Sequence, residues 1–147
     1  MDEYNIMILD KKEAINSLQK TLELAGVRHI DAFTDPAEAI AMFRKKKYHI
    51  LLTDMDMPGM DGIEILKKVR QYDPMTQIIM MTEHSTIDRT LACLELGAND
   101  YVLKPIKNEE YITEVVEYSI KKLERWKEAI KGTVFRQSDA SESNQTT

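Results

Sequence analysis

Short apolar runs alternate with amphipathic stretches along this chain. Runs rich in Ile, Leu, Met and Val occupy residues 6–9, 50–52, 78–81 and 101–103, and a weaker fifth occupies 29–33. Uninterrupted apolar runs of this length are typical of strands that are buried on both faces. The pattern therefore predicts five strands.

The stretches between the runs have the three-and-four spacing of a helix face. Ile15, Leu18 and Leu22 mark the first helix, and Gly26 marks its end. The segment 35–38, Asp-Pro-Ala-Glu, is typical of a helix start, with an Asp cap and Pro at the first position. Three more helices are predicted near 63–70, 87–97 and 109–131.

Strands that alternate with helices favour parallel βαβ units with right-handed crossovers. The sequence therefore predicts an α/β fold, a doubly wound parallel sheet with helices on both faces. Such sheets bind ligands at the carboxyl ends of their strands. The residues that follow each strand are therefore the first candidates for chemistry.

Composition narrows the functional classes. The 147 residues carry a formal net charge of −5 and include one cysteine, Cys93, which excludes disulfide frameworks and Cys-based zinc sites. The acidic balance argues against nucleic acid as a partner, and no apolar run is long enough to span a membrane. The acidic N-terminus is unlike a signal peptide, so we expect a cytoplasmic protein. The polar segment 132–147 is predicted to be a disordered tail.

Charged and hydroxyl side chains collect at the predicted strand ends. Asp10 follows the first strand, Asp54 and Asp56 follow the third, Thr82 follows the fourth, and Lys104 follows the fifth. Clustered carboxylates suit a hard cation such as Mg²⁺, whereas lysine and a hydroxyl suit a phosphoryl group. A single Asp after a strand is usually only a helix cap, but four matching strand ends favour a shared site.

These residues lie in motifs that resemble the response-regulator receiver domain of two-component signalling. The motifs are Ile-Leu-Leu-Thr-Asp54-Met-Asp-Met-Pro58-Gly-Met-Asp-Gly62, Met-Met-Thr82 and Gly97-Ala-Asn-Asp-Tyr101-Val-Leu-Lys104-Pro105. The resemblance covers about residues 4–122. It implies a flavodoxin-like sheet of strand order 2-1-3-4-5, with residues 1–122 as the receiver domain.

The resemblance also implies a role for each site residue. Asp54 would be the phosphoacceptor, and Mg²⁺ would be held by Asp10, Asp54 and the backbone carbonyl of Asp56. Thr82 and Lys104 would contact the acyl phosphate, and Tyr101 would be the aromatic switch. The Lys104–Pro105 bond is typically cis in this family. The implied partners are a histidine kinase or phosphotransfer protein and a downstream protein target. The chain would then be no enzyme beyond self-phosphorylation and autodephosphorylation.

Two residues depart from the family pattern. Lys11 stands where a second acidic residue usually follows the first strand, and Glu83 stands where a small residue usually follows Thr82. Lys11 either points to solvent or pairs with Asp54 and partly replaces the metal, so we expect weakened Mg²⁺ binding. Glu83 either obstructs the pocket or turns to solvent. The alternative function is therefore a phosphorylation-independent adaptor.

A more remote alternative is a phosphatase of the haloacid-dehalogenase type. The segment 54–56, Asp-Met-Asp, fits the opening motif of that class, with Asp54 as nucleophile and Asp56 as acid/base. Against this alternative, a whole strand and Asp10 precede the motif, and no paired aspartates follow Lys104.

The fifth helix is predicted to outgrow its domain. A helix over 109–131 is about 35 Å long, whereas a five-residue strand spans about 17 Å. Leu123, Trp126 and Ile130 would then lie beyond the sheet with the spacing of a coiled-coil seam. We therefore expect a helical extension at 123–131, through which a homodimer could form.

Overall fold

Five strands and five helices alternate in the structure, a computed structural model that describes residues 3–145. The elements are β1 (Asn5–Leu9), α1 (Lys12–Leu24), β2 (His29–Phe33), α2 (Pro36–Lys45), β3 (Ile50–Asp54), α3 (Gly62–Tyr72), β4 (Gln77–Thr82), α4 (Ile87–Glu95), β5 (Asp100–Leu103) and α5 (Glu109–Gln145). Within the described part of the chain, no helix is both long and apolar enough to cross a bilayer.

The strands form one sheet in the order β2-β1-β3-β4-β5, and every neighbouring pair is parallel. This is the order that the resemblance implied. Ile8, Leu52, Ile79 and Val102, one from each of the four apolar strands, have no exposed surface. The prediction of a doubly wound sheet in which these four side chains are buried is therefore confirmed. The expectation that the run at 101–103 is buried on both faces is wrong, because β5 lies at the edge of the sheet and Leu103 is 61% exposed.

Side chains of each strand alternate between two cores. Ile6 and Ile8 of β1 pack in the core between the sheet and helices α1 and α5. Met7 and Leu9 pack in the opposite core with residues of α2, α3 and α4. Because successive strand residues face opposite sides, helices cover both faces of the sheet, while most residues of the edge strands β2 and β5 remain partly exposed.

Helix α5 is longer than the sequence pattern predicted. It runs to Gln145, so the helix includes most of the segment that we expected to be a disordered tail; residues 146 and 147 lie outside the described residues. Gly132 does not end it, because one glycine inside a helix costs only about 1 kcal/mol relative to alanine. The Thr133 hydroxyl donates to the carbonyl of Ala129 (2.8 Å) and spans the glycine. Apolar spacing, which set the predicted end at Lys131, does not detect a helical segment in which most residues are polar.

The prediction that Leu123 lies beyond the sheet is wrong. Leu123 is 1% exposed and belongs to the same core as Tyr4 and Val27. The hydroxyl of Tyr4 donates to the Glu124 carboxylate (3.0 Å), and the Lys127 ammonium lies 5.0 Å from the centre of the Tyr4 ring. The segment before β1 therefore lengthens the packed surface, and the uncovered part of α5 begins at about Lys127.

Candidate functional site

Three predicted site residues come together at the carboxyl edge of the sheet. Asp10 follows β1 and is fully buried, Asp54 ends β3 and is 3% exposed, and Lys104 follows β5. The Lys104 ammonium lies 2.6 Å from Asp10 Oδ2 and 3.8 Å from Asp54 Oδ1. One ammonium therefore faces two buried carboxylates.

Backbone contacts fix the strand ends that carry these groups. The amide of Lys104 donates to the carbonyl of Thr82 (2.8 Å) and extends the pairing of β4 with β5. The Lys104–Pro105 peptide is cis, as the resemblance implied. The amide of Asp10 donates to the carbonyl of Phe33 (3.2 Å), and its Oδ1 accepts from the amide of Lys11 (2.7 Å).

The loop after Asp54 turns sharply into α3. The amide of Met55 donates to the carbonyl of Met81 (2.8 Å), and the amide of Gly62 donates back to the carbonyl of Met55 (3.0 Å). A Cβ at Gly62 would lie 2.6 Å from Met55 Cα, so only glycine allows this approach. Asp61 caps α3 by accepting from the amide of Ile63. The loop is therefore held against the end of β3.

The surroundings of Asp54 disfavour its charged form. Burial raises the pKa of Asp54, Lys104 opposes this by lowering it, and the nearby charge of Asp10 raises it further. Two buried carboxylates share one ammonium, so the pocket holds more negative charge than that cation balances. A second cation is the simplest group that would relieve this imbalance.

The oxygen donors at this edge fit Mg²⁺. Asp10 and Asp54 supply hard carboxylate oxygens, and the backbone carbonyl of Asp56 is the third donor that the resemblance implied. Among the described residues, no three His, Cys, Asp or Glu side chains converge into a metal cage.

Thr82 is fully buried at the end of β4 and belongs to a second group of contacts. Its hydroxyl donates to Asp56 Oδ2 (3.1 Å) and accepts from the amide of His84 (3.0 Å). Arg89 of α4 donates to Asp56 Oδ1 (2.9 Å). Burial pushes the pKa of Asp56 upward, but the hydrogen bonds from Arg89 and Thr82 outweigh it and hold that pKa below its usual value.

Sequence reasoning missed Arg89. It lies in the first turn of α4, seven residues after Thr82, and no strand-end rule points to it. The only sequence signal is a cation near a helix start, where an acidic residue is usually preferred.

Tyr101, the predicted switch residue, lies half-buried on β5. Its hydroxyl pairs with the Ser85 hydroxyl (3.2 Å), and its ring packs on the edge of the core that includes α3 and α4. Tyr101 therefore contacts the loop between β4 and α4 without touching Asp54, Asp10 or Lys104 through any hydrogen bond among residues 3–145.

The two departures from the family pattern both lie at the surface. The side chain of Lys11 is exposed and, within residues 3–145, forms no ion pair, so its suggested pairing with Asp54 is not found. Lys104 is the cation beside Asp54 instead. Glu83 is also exposed, and it shares the rim of a groove beside α1 with Lys104 and Pro105.

Comparison with known proteins agrees with this geometry. The model of the response regulator receiver domain matches residues 6–116, so the chain belongs to that family. It is 34% identical over 108 residues to the DNA-binding transcriptional regulator NtrC of Escherichia coli (strain K12), covering 73% of this chain and 23% of NtrC. It is 31% identical over 120 residues to the uncharacterized transcriptional regulatory protein YkoG of Bacillus subtilis (strain 168), covering 78% and 50%.

A solved structure gives the same result. The receiver domain protein (CheY-like) from Methanospirillum hungatei JF-1 superposes with a TM-score of 0.78 at 25% identity, covering 83% of this chain and 97% of that one. The chain thus spans half or less of the two curated relatives but nearly the whole of an isolated receiver domain. These matches show the fold and the family of the chain. The activities named for the longer relatives are those of the relatives alone.

Proposed function

We propose that this chain is a phosphorylation switch in which Asp54 accepts a phosphoryl group from a histidine kinase or a phosphotransfer protein. The observation that carries the proposal is the buried Asp54 carboxylate at the end of β3. The Lys104 ammonium lies 3.8 Å from it and also contacts Asp10. A carboxylate so placed is a nucleophile with a cation ready for the charge that develops on phosphorus.

The proposed chemistry gives each group of the pocket a defined part. One oxygen of Asp54 forms a bond to phosphorus while the bond from phosphorus to the donor breaks, and the donor keeps the electron pair. Lys104 neutralises charge on a phosphoryl oxygen, and the hydroxyl of Thr82 donates to another. Mg²⁺ held by Asp10, Asp54 and the carbonyl of Asp56 would supply further charge neutralisation.

The proposed output is protein–protein contact in the cytoplasm rather than catalysis on a separate substrate. The relatives in this family are regulators, and NtrC is described as DNA-binding, but the shared region is the receiver domain. Family membership leaves the phosphatase alternative without support. The adaptor alternative rests only on Lys11 and Glu83, and both side chains lie at the surface.

Intact-mass measurement after treatment with Mg²⁺ and a small phosphodonor tests the proposal. The wild type should gain one phosphoryl mass, Asp54→Ala should gain none, and Asp61→Asn, which changes a carboxylate on the same loop, should behave as the wild type. A wild type that stays unmodified, while Lys11→Asp is labelled, would instead favour the adaptor function. Labelling of Asp54→Ala would overturn the assignment of the acceptor.

We also propose that α5 from Trp126 onward provides a contact surface, with a second copy of the chain as its partner. Trp126, Ile130 and Val134 are 59%, 47% and 59% exposed and continue the side of the helix that is buried at Leu123. An exposed apolar stripe of this kind is typical of interaction sites. Residues 121–131 include five Lys or Arg and two Glu. Two copies would therefore bring net positive charge together there, and their association should strengthen with added salt.

Light scattering at tens of micromolar, at low and high salt, tests the dimer. The variant should be Trp126→Ser with Ile130→Ser; Leu123 must be left intact because it is part of the core. The wild type should associate and the variant should not. A wild type that stays monomeric at every concentration, salt and phosphorylation state rules the dimer out.

A further inference from the structure

The hydroxyl of Thr82 has one proton, and in this structure that proton goes to Asp56 rather than to Asp54. Thr82 Oγ1 donates to Asp56 Oδ2 (3.1 Å) and accepts from the amide of His84 (3.0 Å). A hydroxyl donates a single hydrogen bond. Any phosphoryl oxygen on Asp54 that receives the Thr82 proton must therefore take it from Asp56.

Arg89 keeps Asp56 in the position that receives this proton. One terminal nitrogen of Arg89 donates to Asp56 Oδ1 (2.9 Å), and the other donates to the carbonyl of His84 (2.9 Å). In addition, His84 Nδ1 lies 3.5 Å from Asp56 Oδ2. The Arg89 side chain is only 26% exposed, so the ion pair is partly shielded from water. We call the contacts of Thr82, Asp56, His84 and Arg89 the clasp.

We propose that Asp56, held by Arg89, competes with a phosphoryl group on Asp54 for the hydroxyl proton of Thr82, and that this competition couples the phosphorylation site to α4. The inference rests on the proposed function, since it concerns regulation at the same site. Asp56 and Arg89 are positioning residues here, because they act through Thr82.

The coupling follows from where the clasp is anchored. Arg89 lies in the first turn of α4, and its guanidinium links that turn to the loops after β3 and β4. When Thr82 donates its proton to a phosphoryl oxygen, Asp56 loses one of its donors. One of the contacts that hold the clasp together is then broken. Linkage requires the reverse as well: a weaker clasp favours the phosphorylated form.

A double-mutant cycle with trifluoroberyllate, a stable mimic of the acyl phosphate, tests the competition. Asp56→Ala removes the competing acceptor but keeps the backbone carbonyl, and Thr82→Val removes the proton while keeping the shape of the side chain. At saturating Mg²⁺, Asp56→Ala should tighten trifluoroberyllate binding about tenfold in the Thr82 background. In the Thr82→Val background it should have only the smaller effect of removing a nearby charge.

The outcomes separate this inference from the proposed function. If neither the wild type nor Asp56→Ala binds trifluoroberyllate, the phosphoacceptor function itself fails. Binding by the wild type with equal effects of Asp56→Ala in both backgrounds leaves the phosphoacceptor in place and overturns the competition. Asp61→Asn provides the matched charge control, because Asp61 lies on the same loop and caps α3 without contacting Thr82.

Amide hydrogen exchange tests the link to α4. In the wild type, trifluoroberyllate should speed exchange in the first turn of α4, residues 87–91. Arg89→Ala should show that faster exchange already without ligand, whereas Arg125→Ala, an exposed cation on α5, should not. Identical exchange in α4 of the free and bound wild type would overturn the coupling.

Discussion

Two regions depart from the usual distribution of side chains. The carboxyl edge of the sheet buries polar side chains, whereas the uncovered part of α5 exposes apolar ones. At the sheet edge, Asp10, Asp54 and Thr82 are polar and almost fully buried. Beyond Lys127, Ile130 and Val134 are apolar and largely exposed. Buried charge and exposed apolar surface are both unfavourable alone. We therefore propose that each region is completed by a partner: a cation and a phosphoryl group at the sheet edge, and another protein surface at the uncovered part of α5.

The two regions differ in how they are held. Residues from three strand ends, those of β1, β3 and β5, meet at the pocket, and their ion pairs join residues that are distant in sequence. The uncovered part of α5 is a single helix, and its residues contact mainly their own neighbours along that helix. Substitutions should therefore be costly where α5 packs on the sheet and nearly neutral where it does not.

Leu123→Ala and Ile130→Ala give the largest contrast within α5. Leu123 is 1% exposed in the core, so its truncation should lower the free energy of unfolding by about 2–5 kcal/mol. Ile130 is 47% exposed, and its truncation should change stability by no more than about 0.5 kcal/mol. Urea unfolding at a concentration where the chain is monomeric measures both. Similar losses for the two variants would show that the uncovered helix is also packed.

The difference in stability between Asp54→Asn and the wild type should depend on pH, because the pocket disfavours the charged form of Asp54. Because burial raises the pKa of Asp54, the folded state binds its proton more tightly than the unfolded state does. The stability that Asp54 contributes to the wild type is therefore lost as pH rises from the ordinary pKa of the group, about 3.9, through its raised pKa in the folded state. Asparagine does not titrate, so the variant should be more stable at neutral pH.

Urea unfolding of Asp54→Asn and wild type, without Mg²⁺, should show that gain growing with pH through this interval and then levelling off. A gain that stays constant at every pH would mean that the pKa of Asp54 is the same in the folded and unfolded states. Added Mg²⁺ should stabilise the wild type more than the variant, because the variant lacks one of the carboxylate ligands.

The strand pattern predicted most of the fold and brought the main site residues together. Apolar runs marked all five strands, and the rule that ligands bind at carboxyl ends selected Asp10, Asp54 and Lys104. The role of Arg89 was not predictable, because it depends on how α4 is placed relative to the loop after β3. The burial of Leu123 was also missed, because Tyr4, before β1, extends the surface on which α5 packs.

Substitution of Lys11 should separate two effects at the sheet edge. Lys11 is the N-cap of α1, has an extended backbone, and provides no side-chain cap. Lys11→Asn and Lys11→Asp should each stabilise the chain by about 1 kcal/mol, because both side chains cap helices well. Only Lys11→Asp adds a carboxylate near the metal donors, so only it should tighten Mg²⁺ binding in calorimetric titration. Equal Mg²⁺ affinity for the two variants would place position 11 outside the metal site.

Glu83 should have the smallest effect, because it is exposed and lies on the rim of the groove beside α1. Glu83→Ala removes bulk and charge, whereas Glu83→Gln removes only charge. Since exposed charges are strongly screened, both variants should be labelled by an anionic phosphodonor no more than about threefold faster than the wild type at physiological salt. The difference should grow at low salt if charge is the cause. A larger gain for Glu83→Ala than for Glu83→Gln, unaffected by salt, would show that the side chain obstructs the path to Asp54.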